Sequence, residues 1–353
     1  MHICGEIKGI KYKPFLCAKL ESYDLDALEK ALSEKGSFML KVDPQNELAV
    51  SWWVSPKRTR SYPYARVYDT LSFTGKKITI IPIIKDEGKD GDRDFLQWDT
   101  VSLMSLLGVY VIVAYYISAE KNPKYGNKIT NQKFDVNYIK SKILELISYQ
   151  SDALHWNLEQ VEQIPDVASK SIDFYKQISE KLGVEMHSEK SALRRIEQIQ
   201  ESKKNFMKIS RELAHKAQIR ETATVQPKEH LSGNKAAITI KNYLGGYYFF
   251  TCDEAKIRQG KLFLVEGKHT KAGVLPSTED IKDGLIKMVL FTNLENVIVE
   301  NRNLIPVPVL KLTTRAKTKI NSLSTGKRRI FELLKQEAEH NGFRIKLNER
   351  FIV

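Results

Sequence analysis

Hydrophobic and polar positions change rhythm along the chain, and each change predicts a different kind of element. Residues 1 to about 125 alternate between short mixed segments. "DLDALEKALSEKG" (24–36) reads as a helix, and "NELAVSWWV" (46–54) and "KKITIIPIIKD" (76–86) read as strands. "TVSLMSLLGVYVIVAYYISA" (100–119) has no charge over twenty residues, which meets the length test for a membrane span. Its two halves differ in type, however: a helix up to Leu107, punctuation at Gly108, then a β-branched and aromatic run typical of a buried strand. The pattern therefore predicts helix plus strand and no membrane association.

From about 135 to 220 the period becomes helical, with long charged amphipathic stretches such as "SEKSALRRIEQIQESKKNFMKISRELAHKAQI" (188–219). After a looser segment the period shortens to two. "AAITIKNYL" (236–244), "YYFFTCDEAKI" (247–257) and "KLFLVEGKH" (261–269) read as three strands, the last two joined at Gln259–Gly260. "LPSTEDIKDGLIKMVLFTNLE" (275–295) opens with Pro276, Ser277 as N-cap and Asp280 three residues on, a strong helix start. Ile281, Leu285, Met288 and Val289 would share its apolar face, leaving Asp283 and Lys287 to pair on the other. "NVIVEN" (296–301) returns as a strand.

These patterns divide the chain into a mixed α/β region (1–125), a mainly helical region (126–230), a core of helix, three strands, helix and strand (190–300) and a basic C-terminal appendage (301–353). The fold class is α/β. Net charge is +13, and residues 301–353 carry twelve Lys or Arg against four acids, so a polyanionic partner such as nucleic acid is expected. Three widely separated cysteines predict no disulfide framework and a reducing compartment, hence a cytoplasmic location. The N-terminus lacks the apolar run of a signal peptide.

The charged residues of the 247–270 hairpin carry the candidate chemistry. With Gln259–Gly260 as a two-residue loop, Arg258 faces Lys261, Asp253 faces Glu266, and Lys268 shares their face, while Glu254 points to the other side. A one-residue bulge at the turn would shift this register, so Glu254 stays a reserve candidate. Facing carboxylates repel unless a cation lies between them, and such oxygen ligands suit Mg²⁺, with Mn²⁺ as a substitute. A nearby lysine steadies charge developing on phosphorus, so the set suits phosphodiester hydrolysis. The competing interpretation is an exposed amphipathic hairpin with a surface ion pair.

Asp253, twelve intervening residues, then Glu266-Gly267-Lys268 resembles the Asp…Glu-x-Lys signature of the PD-(D/E)XK nuclease superfamily, and the element order of the 190–300 core is similar to that family's. The resemblance implies a restriction-endonuclease-like fold. Asp253 and Glu266 would be metal ligands assisted by the Gly267 carbonyl, and Lys268 the catalytic lysine. Cys252 stands where the signature has proline, and Glu212 or Glu229 is a candidate for a further helical acid. A type II restriction enzyme cutting double-stranded DNA as a homodimer fits best. A transposon-end or repair nuclease of the same superfamily, or a non-enzymatic basic nucleic-acid-binding protein, is the alternative.

Two further segments bear on function. "IIKDEGKDGDRDFLQWD" (83–99) gathers Asp86, Glu87, Asp90, Asp92, Asp94 and Asp99, which reads as a solvated acidic loop, with a rival metal site as the alternative; a catalytic site with Glu120–Lys121 is disfavoured because adjacent residues cannot share a strand face. "SWWVSPKRTRSYPYARVY" (51–68) interleaves Lys57, Arg58, Arg60 and Arg66 with aromatics, a composition suited to phosphate contacts and base stacking; Trp52 and Trp53 could equally be core. Lys327, Arg328 and Arg329 add a basic cluster in the tail. No nucleotide-binding P-loop, nucleophile elbow, zinc-protease or dinucleotide fingerprint is present.

Overall fold

The computed structural model describes residues 1–57, 62–200, 234–242, 247–271, 274–314 and 323–353. Its architecture is mixed α/β, in two compact units: Met1–Lys19 with Leu213–Val353, and Leu20–Glu212. These limits differ from the sequence-based boundaries at both ends. The first strand joins the C-terminal unit's sheet, and the basic tail is built into that sheet instead of being appended to it.

The first unit is organised on a nine-stranded sheet. Labelled in chain order within this unit, its strands are β1 His2–Ile7, β2 Asn234–Asn242, β3 Tyr247–Arg258, β4 Lys261–Thr270, β5 Glu295–Val299, β6 Arg302–Asn303, β7 Ile305–Thr314, β8 Arg344–Leu347 and β9 Arg350–Phe351. Its described helices are α1 Thr278–Phe291 and α2 Thr325–Asn341. Spatial order is β6-β5-β1-β2-β3-β4-β7-β8-β9. At its centre β2, β3 and β4 pair antiparallel in sequence, and β4 then pairs parallel with β7. A parallel neighbour needs a crossover, and α1 lies in that connection.

The strand "NVIVEN" therefore exists as β5 but is not the parallel neighbour of the hairpin. It pairs antiparallel with β1, and Glu300–Asn301, both at positive φ (48° and 61°), turn the chain into β6. The position beside β4 goes to β7, inside the segment expected to be an appendage. Hydrogen bonds tie that segment down. Glu337 of α2, fully buried, accepts the Tyr12 hydroxyl (2.6 Å) and the Phe15 amide (2.9 Å) from the N-terminal segment. The first helix expected for the core falls largely on residues outside the described set. Its described part, Glu189–Gln200, belongs to the second unit.

The second unit holds a five-stranded sheet in the order Ser22–Asp24, Ser37–Lys41, Glu47–Trp52, Lys77–Pro82, Val109–Ala114, whose last three strands are parallel. The apolar 100–119 segment divides as its composition predicts, into the helix Trp98–Leu106 and the buried strand Val109–Ala114, with Gly108 at φ +66° between them. Among the described residues no helix is long and apolar enough to cross a membrane.

Candidate functional site

The hairpin that carries the candidate residues has the predicted turn. Gln259 and Gly260 both take positive φ (49° and 74°), as a two-residue type I′ loop requires, and Arg258 faces Lys261. The ladder runs from that pair to Glu254 opposite Val265. Beyond that pair the carboxylate of Asp253 accepts the Gly267 N–H at 2.7 Å, which ties Asp253 to the strand that carries Glu266. On its other edge β3 pairs with β2 through a register shift: Asn234 lies opposite Ala255 but Ala236 opposite Cys252, so β3 holds one extra residue at Asp253–Glu254. Bulges of this kind re-aim side chains and are frequent beside active sites. No shift occurs within the β3–β4 ladder, and Glu254, buried, pairs with Lys256 at 2.5 Å.

Glu266 is 3% exposed, and both of its oxygens are occupied. Lys268 approaches Oε1 at 3.1 Å and Lys287 of α1 approaches Oε2 at 2.7 Å. Lys287 also donates to the Thr251 carbonyl (3.0 Å), and Lys268 to Asp283 (2.6 Å). The result is a chain of alternating charge, Lys287–Glu266–Lys268–Asp283, bridging β4 and α1. Helix α1 starts with the expected capping box of Ser277 and Asp280. The helix lies close on the sheet because residue 284 is glycine: a Cβ there would come within 2.8 Å of Leu310 Cδ1 and 3.1 Å of Lys268 Cε.

Burial by itself would raise the Glu266 carboxyl, but Lys287 and then Lys268 outweigh it and hold the group below its usual range. Burial likewise works to lower the Lys268 ammonium, and Glu266 and Asp283 together raise it above the ordinary lysine value. Cys252, next to the acid, is pushed up to about 12, chiefly by burial, so it is a neutral thiol packed in the core.

The sequence pattern pairs Asp283 with Lys287 on the face of α1 opposite its apolar one, whereas in the structure Asp283 pairs with Lys268 and Lys287 with Glu266. Both α1 residues face the sheet, and Lys287 is buried. A readable signal existed: from Gly284 to Phe291, Lys287 is the one charge in an otherwise apolar run, so it must be partnered within the fold.

A divalent cation would draw on Asp253, Glu266 and the Gly267 carbonyl. Among the described residues no group of three His, Cys, Asp or Glu side chains converges as a ready metal site. Mg²⁺ needs fewer protein ligands, binding through one or two carboxylates while keeping several waters. The two half-buried or buried carboxylates flanking Gly267 fit that demand in donor chemistry, provided an ammonium yields one Glu266 oxygen. Glu212 and Glu229 lie outside the described residues.

The other candidates are dispersed. In the second unit, Lys57 is exposed with Asp94 at 3.8 Å, and Arg58 and Arg60 fall outside the described residues. Arg66 is turned inward: its guanidinium donates to the Trp52 carbonyl (2.8 Å), lies 4.6 Å from the Trp52 ring centre, and packs on Gly36. Trp53 is fully buried core. Arg328 and Arg329 are exposed on the first turn of α2, with Lys327 partly covered. The acidic 86–99 stretch forms a small hairpin, Ile84–Asp86 with Arg93–Phe95, whose acids go to separate partners. Glu87 takes Lys85 (2.7 Å), Asp94 takes Ser55 (2.9 Å) and Asp90 takes Asn127. Glu120 takes the Asn131 amide at 2.8 Å. Comparison of the chain with protein-family models, with curated proteins and with solved structures gave no match.

Proposed function

We propose that this protein is a divalent-metal-dependent endonuclease that hydrolyses phosphodiester bonds in double-stranded DNA, acting as a type II restriction enzyme. The observation that carries the proposal is the Asp253 carboxylate bonded to the Gly267 N–H, beside buried Glu266 and its partner Lys268, on three antiparallel strands and a helix-connected parallel one. Asp253, Glu266 and the Gly267 carbonyl would hold Mg²⁺ or Mn²⁺. A bound cation of this kind supplies a water of lowered pKa and a polarised phosphoryl oxygen.

The protein's own groups do the rest. Glu266 and Asp283 outweigh burial and raise the Lys268 ammonium, which suits it to supply positive charge beside the phosphate. Asp253 is steadied by the Gly267 N–H, which fixes its carboxylate without neutralising it. The net charge of +13 favours approach of a polyanion. Cutting both strands of a palindromic site calls for two such centres and hence a homodimer.

A non-enzymatic reading has one observation in its favour: both Glu266 oxygens are already paired with lysines, as in a structural ion network. Incubating duplex plasmid with Mg²⁺ or Mn²⁺ separates the two. The nuclease reading expects cleavage that Asp253→Ala or Lys268→Ala abolishes while DNA binding persists. Intact plasmid, or normal cutting by both variants, overturns it. Discrete fragments mark a restriction enzyme; a smear or junction-selective cutting marks a repair or transposon-end nuclease.

A further inference from the structure

Asp283 and Lys287 belong to neither half of the hairpin, yet each completes a charge on it. They stand one helical turn apart on α1, on the side that Gly284 brings against β4 and β7. Asp283 receives Lys268 at 2.6 Å, and Lys287 reaches Glu266 Oε2 at 2.7 Å and the Thr251 carbonyl at 3.0 Å. Lys287 is buried and its ammonium is anchored at two oxygens, so it is not a surface lysine that happens to lie nearby. A buried charge on this helix carries a desolvation cost, and for Lys287 that cost is offset by its ion pair with Glu266 and its bond to the Thr251 carbonyl.

Resting on the metal-nuclease reading, we propose that Lys287 is a positioning residue that fills the cation position at Glu266 in the metal-free protein and limits how tightly a divalent cation binds there. Asp283, on the same helix turn, holds Lys268 beside the pair. The physical reason is direct. A divalent cation and an ammonium compete for the same carboxylate, and any ammonium left nearby repels the metal across a medium of low dielectric. Lys268 stands at Oε1 and Lys287, the shorter contact, at Oε2, so a cation that takes Oε2 must displace Lys287. Helix α1 thereby keeps the acid pair ordered before metal arrives, at the expense of metal affinity.

The test is Mn²⁺ binding to the full chain without DNA, by titration calorimetry and by the electron-spin signal of free Mn²⁺. Lys287→Gln removes the charge but keeps a donor for Glu266, and should bind Mn²⁺ about tenfold more tightly than the unaltered protein. Lys287→Met should do the same, and Lys287→Arg, which keeps the charge, should retain the original affinity. Thermal melts with and without Mn²⁺ check folding, and the uncharged variants should gain more melting temperature from Mn²⁺ than the parent does. Asp253→Asn and Glu266→Gln define the site. If they lose Mn²⁺ binding while Lys287→Gln binds no tighter than the parent, the role of Lys287 is overturned and the nuclease reading stands. If neither changes Mn²⁺ binding, the metal site itself is absent and both fall.

Discussion

Each compact unit buries a carboxylate almost completely, Glu266 at 3% exposure in one and Asp86 at 4% in the other, and they are satisfied in opposite ways. Asp86 Oδ1 takes the Gly88 amide (2.9 Å) and His187 Nδ1 (2.7 Å), while its backbone is held by the Tyr175 hydroxyl (3.0 Å) and the Gln132 amide (2.6 Å). These partners shape a turn beside a cavity of about 340 Å³, and no lysine or arginine pairs with Asp86 in any hydrogen bond or ion pair described. Glu266 has two ammonium groups instead, at 3.1 and 2.7 Å. The acid-rich stretch is thus the structural one, and the hairpin with few acids is the one that concentrates opposing charge. Acid density in sequence reports hydration and loop geometry. A buried acid that must be matched by full charges reports a place where another cation can compete.

The largest expected effect breaks this comparison outright if it is wrong. Glu266→Gln should lower plasmid cleavage by about a hundred- to a thousandfold, as loss of a group acting on the transition state does. Asp86→Asn should leave cleavage per folded molecule unchanged and lower unfolding free energy by about 1–3 kcal/mol, the cost of a weakened buried hydrogen-bond set. Equal losses of cleavage in both would mean that the acids do not differ in role. Cleavage rates normalised to folded protein, with denaturant melts alongside, decide it.

Acid titration sharpens the same contrast. The Glu266 carboxyl is held below its ordinary value of 4.5, with the lysines overriding burial. A carboxyl lowered in the folded state stabilises at pH above its unfolded value, and that contribution is lost as pH falls through the folded value. Stability should therefore decline as pH falls below about 4.5, and Lys287→Gln, by raising the folded-state value, should make that decline smaller and end it at higher pH, measured by unfolding as a function of pH. A decline of unchanged size would show that Lys287 does not support the charge on Glu266.

Much of the fold was legible from local rules. The Gln259–Gly260 turn set the hairpin register, Ser277 and Asp280 set the start of α1, and Gly108 divided the apolar stretch into helix and strand. Within the candidate site the register alone singled out Asp253 over Glu254, and the structure turns Glu254 to Lys256. What escaped depends on long-range pairing. Nothing local tells β5 to join β1, or β7 to lie beside β4, because a strand's own pattern does not name its neighbour. Arg66 looked like a phosphate contact because its aromatic neighbours suggested a surface; the fold folds it back onto Trp52. Lys287 escaped for the same reason in reverse: its partner lies 21 residues away on another element.

The smallest expected effect tests whether α1 must lie this close for the comparison to hold. A methyl at residue 284 would meet Leu310 Cδ1 at 2.8 Å and the Lys268 side chain at 3.1 Å, both movable groups, so the helix can stay in place if they yield. Gly284→Ala gains helix propensity of up to about 1 kcal/mol, and overpacking removes about 1–3 kcal/mol, so the net change in stability should be slight, on the order of 1 kcal/mol of loss. Cleavage should suffer more than stability, because the side chain pressed aside is Lys268, whose hold on Asp283 at 2.6 Å depends on the present spacing. A modest loss of stability with a clear fall in the rate at saturating metal would place the contact inside the working site. A rate that merely follows the folded fraction would make Gly284 a packing residue and return α1 to the role of a cover.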